Sequence, residues 1–143
     1  MRWLLIVLLS LLGVLLALLS IFGWVEGAMM LVIGIILWLI IAILIGRFAN
    51  GKFFLHGFLT NLISTLLSSL LIYFFWDTYM ANSTAMQERL TQGPEGINYR
   101  IITLATSPLV AGVYGAVLGL LSILGGKLFG VKKEETSAAE PPK

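Results

Sequence analysis

Residues 53–76 form an uncharged stretch that constrains the fold more than any other part of the chain. No Asp, Glu, Lys or Arg interrupts it, and a helix rising about 1.5 Å per residue crosses a hydrocarbon core of about 30 Å in this length. Its Ser, Thr and Asn residues recur every three or four positions, which places them on one face of a helix. Leucines on the opposite face suit lipid tails. We therefore expect a membrane-spanning helix whose polar face contacts other helices.

The composition of the whole chain also indicates a membrane protein. Of its 143 residues, 59% are hydrophobic and 11% are charged, whereas soluble domains carry about 25% charged residues. The apolar residues lie in long blocks, as expected for spans. The net charge of +2 and the scattered basic residues argue against binding to nucleic acid. The absence of cysteine from the sequence excludes disulfides and thiolate metal sites.

Four uncharged blocks predict four transmembrane helices, at about residues 3–25, 27–46, 53–76 and 101–126. The short connections favour an all-α integral membrane protein folded as an up-down-up-down bundle. Residues 77–100 form the one substantial loop, with a short helix near residues 83–92 that Ser83 or Thr84 caps. Pro108 is expected either to kink the fourth span or to begin its regular part. Residues 1–130 then form the membrane domain, and residues 131–143 form a disordered cytoplasmic tail.

The distribution of basic residues predicts the orientation. If both termini are cytoplasmic, seven of the nine Lys and Arg residues lie on the inside, and only Arg89 and Arg100 lie on the outside. This arrangement follows the positive-inside rule, and the reverse orientation violates it. We therefore predict that the N-terminus and the C-terminus are both in the cytoplasm.

Small and hydroxyl residues mark the faces through which the spans are expected to pack. Small side chains let helix backbones approach closely, and the buried amide of Asn61 requires a partner, which we expect on the fourth or the first span. Gly115 is expected where the fourth span passes closest to another helix, because Gly115-x-x-x-Gly119 is the best packing motif in the chain. The candidate helix-packing residues are Ser10, Gly13, Ala17, Ser20, Asn61, Ser64, Thr65, Ser68, Ala111, Gly115 and Gly119.

Residues that carry chemistry are scarce in the predicted spans. No charged side chain lies deep in a span, where proton- and cation-coupled transporters place one. His56, one turn inside the third span, is interpreted as an interfacial side chain that reaches water rather than as a proton relay. A pair formed by Ser64 and His56 lacks an orienting acid. We therefore predict that the protein is not an enzyme and binds neither a cofactor nor a metal.

Two functions fit these features. The first is a non-enzymatic membrane subunit or scaffold that associates through its small-residue and Ser/Thr/Asn faces, either with copies of itself or within a larger membrane complex. The second is a small channel, carrier or holin-like permeabiliser in which the polar face of residues 53–76 lines a path. Against the second stands the interpretation that Ser and Thr bond to carbonyls of their own helix. The expected partners are the lipid bilayer and other membrane proteins; no nucleic acid and no particular small molecule is indicated.

The order of parts in the second half of the chain carries a resemblance to a known family. A short basic turn leads into residues 51–58, which follow the pattern G-x-x-F-x-x-G-F, and a Ser/Thr-rich span ends in the aromatic residues 72–76. An acidic loop and a glycine-rich span around Ser107-Pro108 follow. Residues 47–130 thereby resemble an uncharacterised family of small four-helix bacterial inner-membrane proteins, a domain of unknown function frequent in Bacteroidota. That family usually has a longer, more acidic loop. The resemblance implies the bacterial inner membrane as location and adds no activity.

Overall fold

The computed structural model of the protein describes residues 2–94 and 96–129, and every regular element in this part of the chain is a helix. The elements are α1 (Trp3–Ile21), α2 (Gly27–Phe48), α3 (Phe53–Phe74), α4 (Trp76–Asn82), α5 (Thr84–Gln92) and α6 (Tyr99–Phe129). Four of them, α1, α2, α3 and α6, are long and apolar enough to cross a membrane. The predicted tail at residues 131–143 lies outside the described residues.

Tight turns separate the first three long helices. Gly23 adopts φ +74° and Gly27 adopts φ +57°, values in the left-handed region that favours glycine. The first of these glycines follows closely on the end of α1, which is four residues shorter than predicted. Lys52, also in the left-handed conformation, precedes the start of α3.

The segment after α3 contains two short helices where the sequence predicted one. Phe75 interrupts the helical path, and α4 begins at Trp76 with Asp77 in its first turn, where a carboxylate interacts favourably with the helix dipole. Ser83 caps α5, because its side-chain oxygen accepts a hydrogen bond of 3.3 Å from the backbone N–H of Met86. The predicted cap is therefore present, but α4 was missed.

Helix α6 continues through Pro108. Proline has no N–H to donate to the carbonyl four residues earlier, which belongs to Leu104. The hydroxyl of Ser107 donates to that same carbonyl oxygen at 2.8 Å and replaces the missing donor. The alternative that Pro108 begins the regular part of the span is therefore wrong, since the helix starts nine residues earlier, at Tyr99.

Helices α3 and α6 form the centre of the bundle and share its most extensive interface. Helix α1 packs mainly on α3, and α2 packs mainly on α6, whereas α1 and α2 make few contacts with each other. The buried apolar core lies near the turn between α2 and α3 and consists of Leu9, Ile41, Ile45, Ala49 and Leu118. The separation of α1 from α2 beyond this core positions the site described next.

Candidate functional site

A crevice lies between α1 and α2 and extends from the apolar core toward the turn that joins these two helices. Its inner chamber has a volume of about 270 Å³ and is bounded by α1, α2, α3 and α6. A second, outer chamber of about 460 Å³ shares the residues Leu16, Gly34 and Trp38 with the first and reaches Glu26 and Ser83. We call the two chambers together the α1–α2 crevice.

The polar face of α3 forms the floor of the inner chamber. Six polar residues of α3 line it, namely Thr60, Asn61, Ser64, Thr65, Ser68 and Ser69. The walls are mainly aliphatic and aromatic, with Trp38 of α2 and Tyr114 of α6 packed edge to face at 5.6 Å between ring centroids. Among the described residues, no charged side chain lines the inner chamber. The site thus combines neutral hydrogen-bonding groups with apolar surface.

Several hydroxyls of the floor differ in their hydrogen bonds from the other buried hydroxyls of the bundle. Ser10, Ser107 and Ser122 each donate to a carbonyl of their own helix at 2.7–2.8 Å. On α3, Ser69 does the same, to the Thr65 carbonyl at 2.8 Å. Within residues 2–94 and 96–129, the hydroxyls of Thr60, Ser64 and Ser68 make no such bond. The interpretation that hydroxyls bond to carbonyls of their own helix therefore holds for Ser69 and fails for these three and for Thr65, whose hydroxyl oxygen, in the described part of the chain, only accepts from Asn61.

Thr60 is the most anomalous residue of the floor. Its side chain is 1% exposed, and its hydroxyl oxygen has no hydrogen-bond partner in the part of the chain that the structure describes. A buried hydroxyl left without a partner costs about 1–3 kcal/mol. The accessible surface of this oxygen is below 1 Å², so the oxygen is closed to a water-sized group in the inner chamber, although other atoms of Thr60 line that chamber.

Asn61 contacts the fourth span, one of the two that the sequence offered as its partner. Its side chain is 6% exposed, and its amide nitrogen donates to the Ala111 carbonyl of α6 at 3.5 Å. The same nitrogen lies 3.3 Å from the Thr65 hydroxyl oxygen. The long donor–acceptor distances indicate a weak tie between α3 and α6.

The predicted packing residues of α1 divide into two groups. Ser10 is fully buried, and the hydroxyl oxygen of Ser64 occupies the notch that Gly13 leaves, since a Cβ at Gly13 would lie 2.0 Å from that oxygen. Ala17 and Ser20 line the inner chamber instead. The Ser20 hydroxyl donates to the sulfur of Met30, in α2, at 3.6 Å.

The glycine motif of α6 receives the phenyl rings of α3. A Cβ at Gly115 would lie 3.1 Å from the carbonyl oxygen of Phe58, and one at Gly119 would lie 2.7 Å from the ring of Phe54. The two rings are stacked with centroids 6.0 Å apart. Gly115 and Gly119 therefore pack against α3 of the same chain.

The prediction that Gly115 marks the closest approach of the fourth span is wrong. A Cβ at Gly125 would lie only 2.3 Å from the backbone carbonyl oxygen of Ala42, and a Cβ at Gly46 would lie 2.3 Å from the backbone of Gly125. Glycines on both helices remove two side chains from the same crossing, so α2 and α6 approach there more closely. The Gly125-Gly126 pair and Gly46 are the sequence signals for this crossing.

His56 ties the start of α3 to the start of α1. Its side chain is 2% exposed, so the interpretation that it reaches water is wrong. The backbone N–H of Arg2 donates to Nε2 at 3.2 Å, and Nδ1 donates to the Lys52 carbonyl at 3.0 Å. Both ring nitrogens are occupied by these bonds, which indicates a positioning role.

The outer chamber is bordered by a cap that the sequence did not reveal. The Glu26 carboxylate accepts hydrogen bonds from the backbone N–H and the hydroxyl of Thr84, the latter at 2.7 Å, and from the N–H of Ala85 at 3.3 Å. The Thr84 hydroxyl bond, opposed by partial burial, lowers the pKa of Glu26 below its ordinary value. The Asn82 amide also donates to the carbonyl of Ile21 at 3.3 Å. These bonds fasten α4 and α5 to the α1–α2 hairpin.

Comparisons with known proteins give no relative to which this site can be referred. No protein-family model matches the chain, and neither a curated protein nor a solved structure is similar to it. The resemblance of residues 47–130 to a bacterial membrane family therefore stays a prediction, and the function has to be argued from the crevice itself.

Proposed function

We propose that this chain is a multi-pass protein of the bacterial inner membrane, with α1, α2, α3 and α6 crossing in an up-down-up-down arrangement and both termini cytoplasmic. Four helices of sufficient length and apolar composition support the crossing. The exposed side chains of these helices include Leu31, Leu109 and Leu128, which suit contact with lipid tails. The positions of the basic residues support the orientation.

Reporter fusions test this topology. We expect a reporter that is active only in the periplasm to be active when inserted at Glu88 and silent at Ala49 and at Lys143. Activity at Lys143 would exclude a cytoplasmic C-terminus, and activity at Ala49 would exclude the second crossing as drawn.

We further propose that the protein is a non-enzymatic binding protein or carrier, whose site is the α1–α2 crevice. The observation that carries this proposal is the row of hydroxyls on α3 that face a largely apolar chamber without bonding to their own helix. The faces that favoured a scaffold, such as Gly13, Gly115 and Gly119, pack within one chain. Their presence therefore does not call for a second protein.

Plugging the crevice tests the binding function. A Cβ at Gly34 would have the terminal carbon of Leu16 as its neighbour, at 3.9 Å, so Gly34→Phe places a ring in the crevice. Gly112→Phe is the matched control, since a Cβ at Gly112 would have no atom of the described chain within 4 Å other than those of the adjacent α6 backbone and its two chain neighbours. We expect organic extracts of the purified wild type and Gly112→Phe, but not of Gly34→Phe, to contain a bound small molecule. Identical extracts from all three would exclude the crevice as the site.

A subunit role is a second candidate, favoured by the first half of α2. Among the described residues from Gly27 to Ile40, none is buried, and the buried residues of this helix begin at Ile41. A partner helix or a second copy of the chain could cover this surface. Purification in a mild detergent, followed by measurement of particle mass and mass spectrometry of co-purifying proteins, tests this role. A strictly monomeric particle without a stoichiometric partner would contradict it.

A permeabiliser is expected to behave differently from a binding protein and from a subunit. Vesicles that contain a binding protein or a subunit are expected to retain an entrapped dye, whereas a channel or a holin-like protein releases it. Dye release that Thr60→Val abolishes would favour a conducting path along the polar face of α3.

A further inference from the structure

We propose that the α1–α2 crevice binds an uncharged, single-chain amphiphile whose hydrogen-bonding head group lies against α3 and whose hydrocarbon tail extends along the outer chamber. This inference rests on the proposed binding function and adds the chemical class of the ligand. Three properties of the crevice carry it: its charge, its polar groups and its shape.

The charge of the crevice excludes ionised ligands. No charged side chain lines the inner chamber among the described residues, so an ion placed there would lose its hydration without gaining a counter-charge. In the outer chamber the Glu26 carboxylate carries a negative charge, which disfavours anionic head groups at the entrance. Glu26 also already accepts hydrogen bonds from Thr84 and Ala85, so it is committed to capping α5.

The polar groups of the floor can bond a neutral head group. Ser68 lines the inner chamber and supplies a hydroxyl that makes no bond to a backbone carbonyl in the described part of the chain. Thr60 lies two helical turns away on α3, but its hydroxyl oxygen has less than 1 Å² of accessible surface and is closed to the chamber. A hydroxyl can donate or accept, so a ligand carbonyl or hydroxyl satisfies Ser68. An all-hydrocarbon ligand would gain nothing from this group.

The shape of the crevice favours one chain rather than two. Volumes of about 270 Å³ and about 460 Å³ lie near the lower end of the range of small-molecule sites, roughly 300–1,000 Å³. The outer chamber is mainly apolar away from Ser20, Glu26 and Ser83, and its rim at Leu31 and Ile35 is 70% and 58% exposed, on the surface proposed to face lipid. A hydrocarbon tail can therefore leave the crevice between α1 and α2 without crossing a polar surface.

Fluorescence of Trp38, which lines both chambers, reports occupancy directly. The full-length protein with Trp3, Trp24 and Trp76 replaced by Phe is placed in nanodiscs of palmitoyl-oleoyl phosphatidylcholine. The probes are a monoacylglycerol with a brominated acyl chain, the ionised brominated fatty acid, a brominated alkyltrimethylammonium and a brominated phosphatidylcholine. We expect saturable quenching by the monoacylglycerol and a weak, linear effect of the other three.

Two pairs of variants assign the binding to the crevice. Ser68→Ala removes the hydroxyl with little change of shape, and the loss of one neutral hydrogen bond weakens binding of the monoacylglycerol by about 3- to 10-fold. Thr106→Val is its control, because Thr106 is exposed on α6 and its hydroxyl bonds to the Ile102 carbonyl. Gly34→Phe is expected to abolish saturable quenching, and Gly112→Phe to leave it unchanged.

The outcomes separate failure of the ligand class from failure of the binding function. Saturable quenching by a charged or two-chain probe, equal to or stronger than that by the monoacylglycerol, would overturn the ligand class while retaining the crevice as a site. Unchanged affinity in Ser68→Ala would overturn the placement of the head group. Linear quenching by every probe, identical in wild type and Gly34→Phe, would overturn both this inference and the proposed function.

Discussion

The crossing of α2 and α6 at Gly125 is the part of the fold that tolerates a side chain least. A Cβ at Gly125 would lie 2.3 Å from the carbonyl oxygen of Ala42 and 2.9 Å from its carbonyl carbon, both backbone atoms. Ordinary van der Waals contact begins near 3.4 Å. Gly125→Ala therefore requires the two helices to separate locally by about 1 Å.

The cost of this separation follows from what the helices bury nearby. The core residues Ile41 and Ile45 of α2 pack close to the crossing, and overpacking of a well-packed interior costs about 1–3 kcal/mol. Alanine in place of glycine also favours the helix by roughly 0.5–1 kcal/mol, which would mask part of the effect. Gly112→Ala has the same favourable contribution, and its new Cβ has no atom of the described chain within 4 Å other than those of the adjacent α6 backbone and its two chain neighbours. The difference between the two variants therefore isolates the steric cost.

Reversible unfolding by sodium dodecyl sulfate in dodecylmaltoside micelles measures this difference. We expect Gly112→Ala to be as stable as wild type or slightly more stable, and Gly125→Ala to unfold with a free energy about 1–3 kcal/mol lower than that of Gly112→Ala. Gly46→Ala is expected to behave like Gly125→Ala, and the double variant to lose less than the two losses combined, because one separation accommodates both side chains. Equal stability of Gly125→Ala and Gly112→Ala would refute the close crossing.

Three further predictions concern contacts at other points of the bundle. Asn61→Leu should lower the free energy of unfolding by about 0.6–1.7 kcal/mol. Gly115→Leu should lower it by about 1–3 kcal/mol, because a Cβ at Gly115 would already lie 3.1 Å from the Phe58 carbonyl oxygen. A larger loss in Asn61→Leu than in Gly115→Leu would contradict the α3–α6 packing. The pKa of Glu26 is lower in the folded protein than in the unfolded chain. The Glu26 carboxylate therefore stabilises α5 fully at pH values above the ordinary pKa, about 4.3. This stabilisation is lost as the pH falls through the lower pKa of the folded protein. The protection factors of the α5 amides, which correct for the pH dependence of intrinsic exchange, should fall over that range in wild type, and Glu26→Ala should show low protection at every pH. A wild type whose protection factors do not fall would exclude the cap. His56→Leu should lower the free energy of unfolding by about 1–3 kcal/mol, because two backbone groups lose their partner, and a neutral result would contradict its positioning role.

The sequence predicts the long helices well because each uncharged block is a local property. The starts of α1, α2 and α3 agree with the predicted starts, since a long apolar block and the polar residue or glycine beside it mark where a helix of this kind can begin. The polar face of residues 53–76 was likewise visible from the three- or four-residue spacing of its polar residues. The spacing of the polar residues did not show that this face lines a crevice, because the crevice depends on how far α1 lies from α2.

What the sequence did not reveal depends on pairs of residues far apart in the chain. The bond between Glu26 and Thr84 joins positions 58 residues apart, and Gly46 meets Gly125 only because α2 packs on α6. The periodicity of one helix indicates which face is adapted for packing, but it does not identify the helix that covers this face. The continuous path of α6 through Pro108 depends on the hydrogen bond that the Ser107 hydroxyl donates to the Leu104 carbonyl oxygen.

The polar floor of the crevice can be distinguished from polar packing by its effect on stability. If Thr60 and Ser68 served to hold helices together, their removal would weaken the bundle, as removal of a buried hydrogen-bonding group does. In the structure neither hydroxyl bonds to another helix among the described residues, and that of Thr60 is buried without a partner. Ser68→Ala should therefore leave the free energy of unfolding within about 0.5 kcal/mol of wild type, and Thr60→Val should raise it by about 1–3 kcal/mol, because it removes a buried hydroxyl that has no partner in the described chain. A loss of more than about 1 kcal/mol in both variants would show that these hydroxyls support the fold, and the argument for a binding site between α1 and α2 would lose its basis.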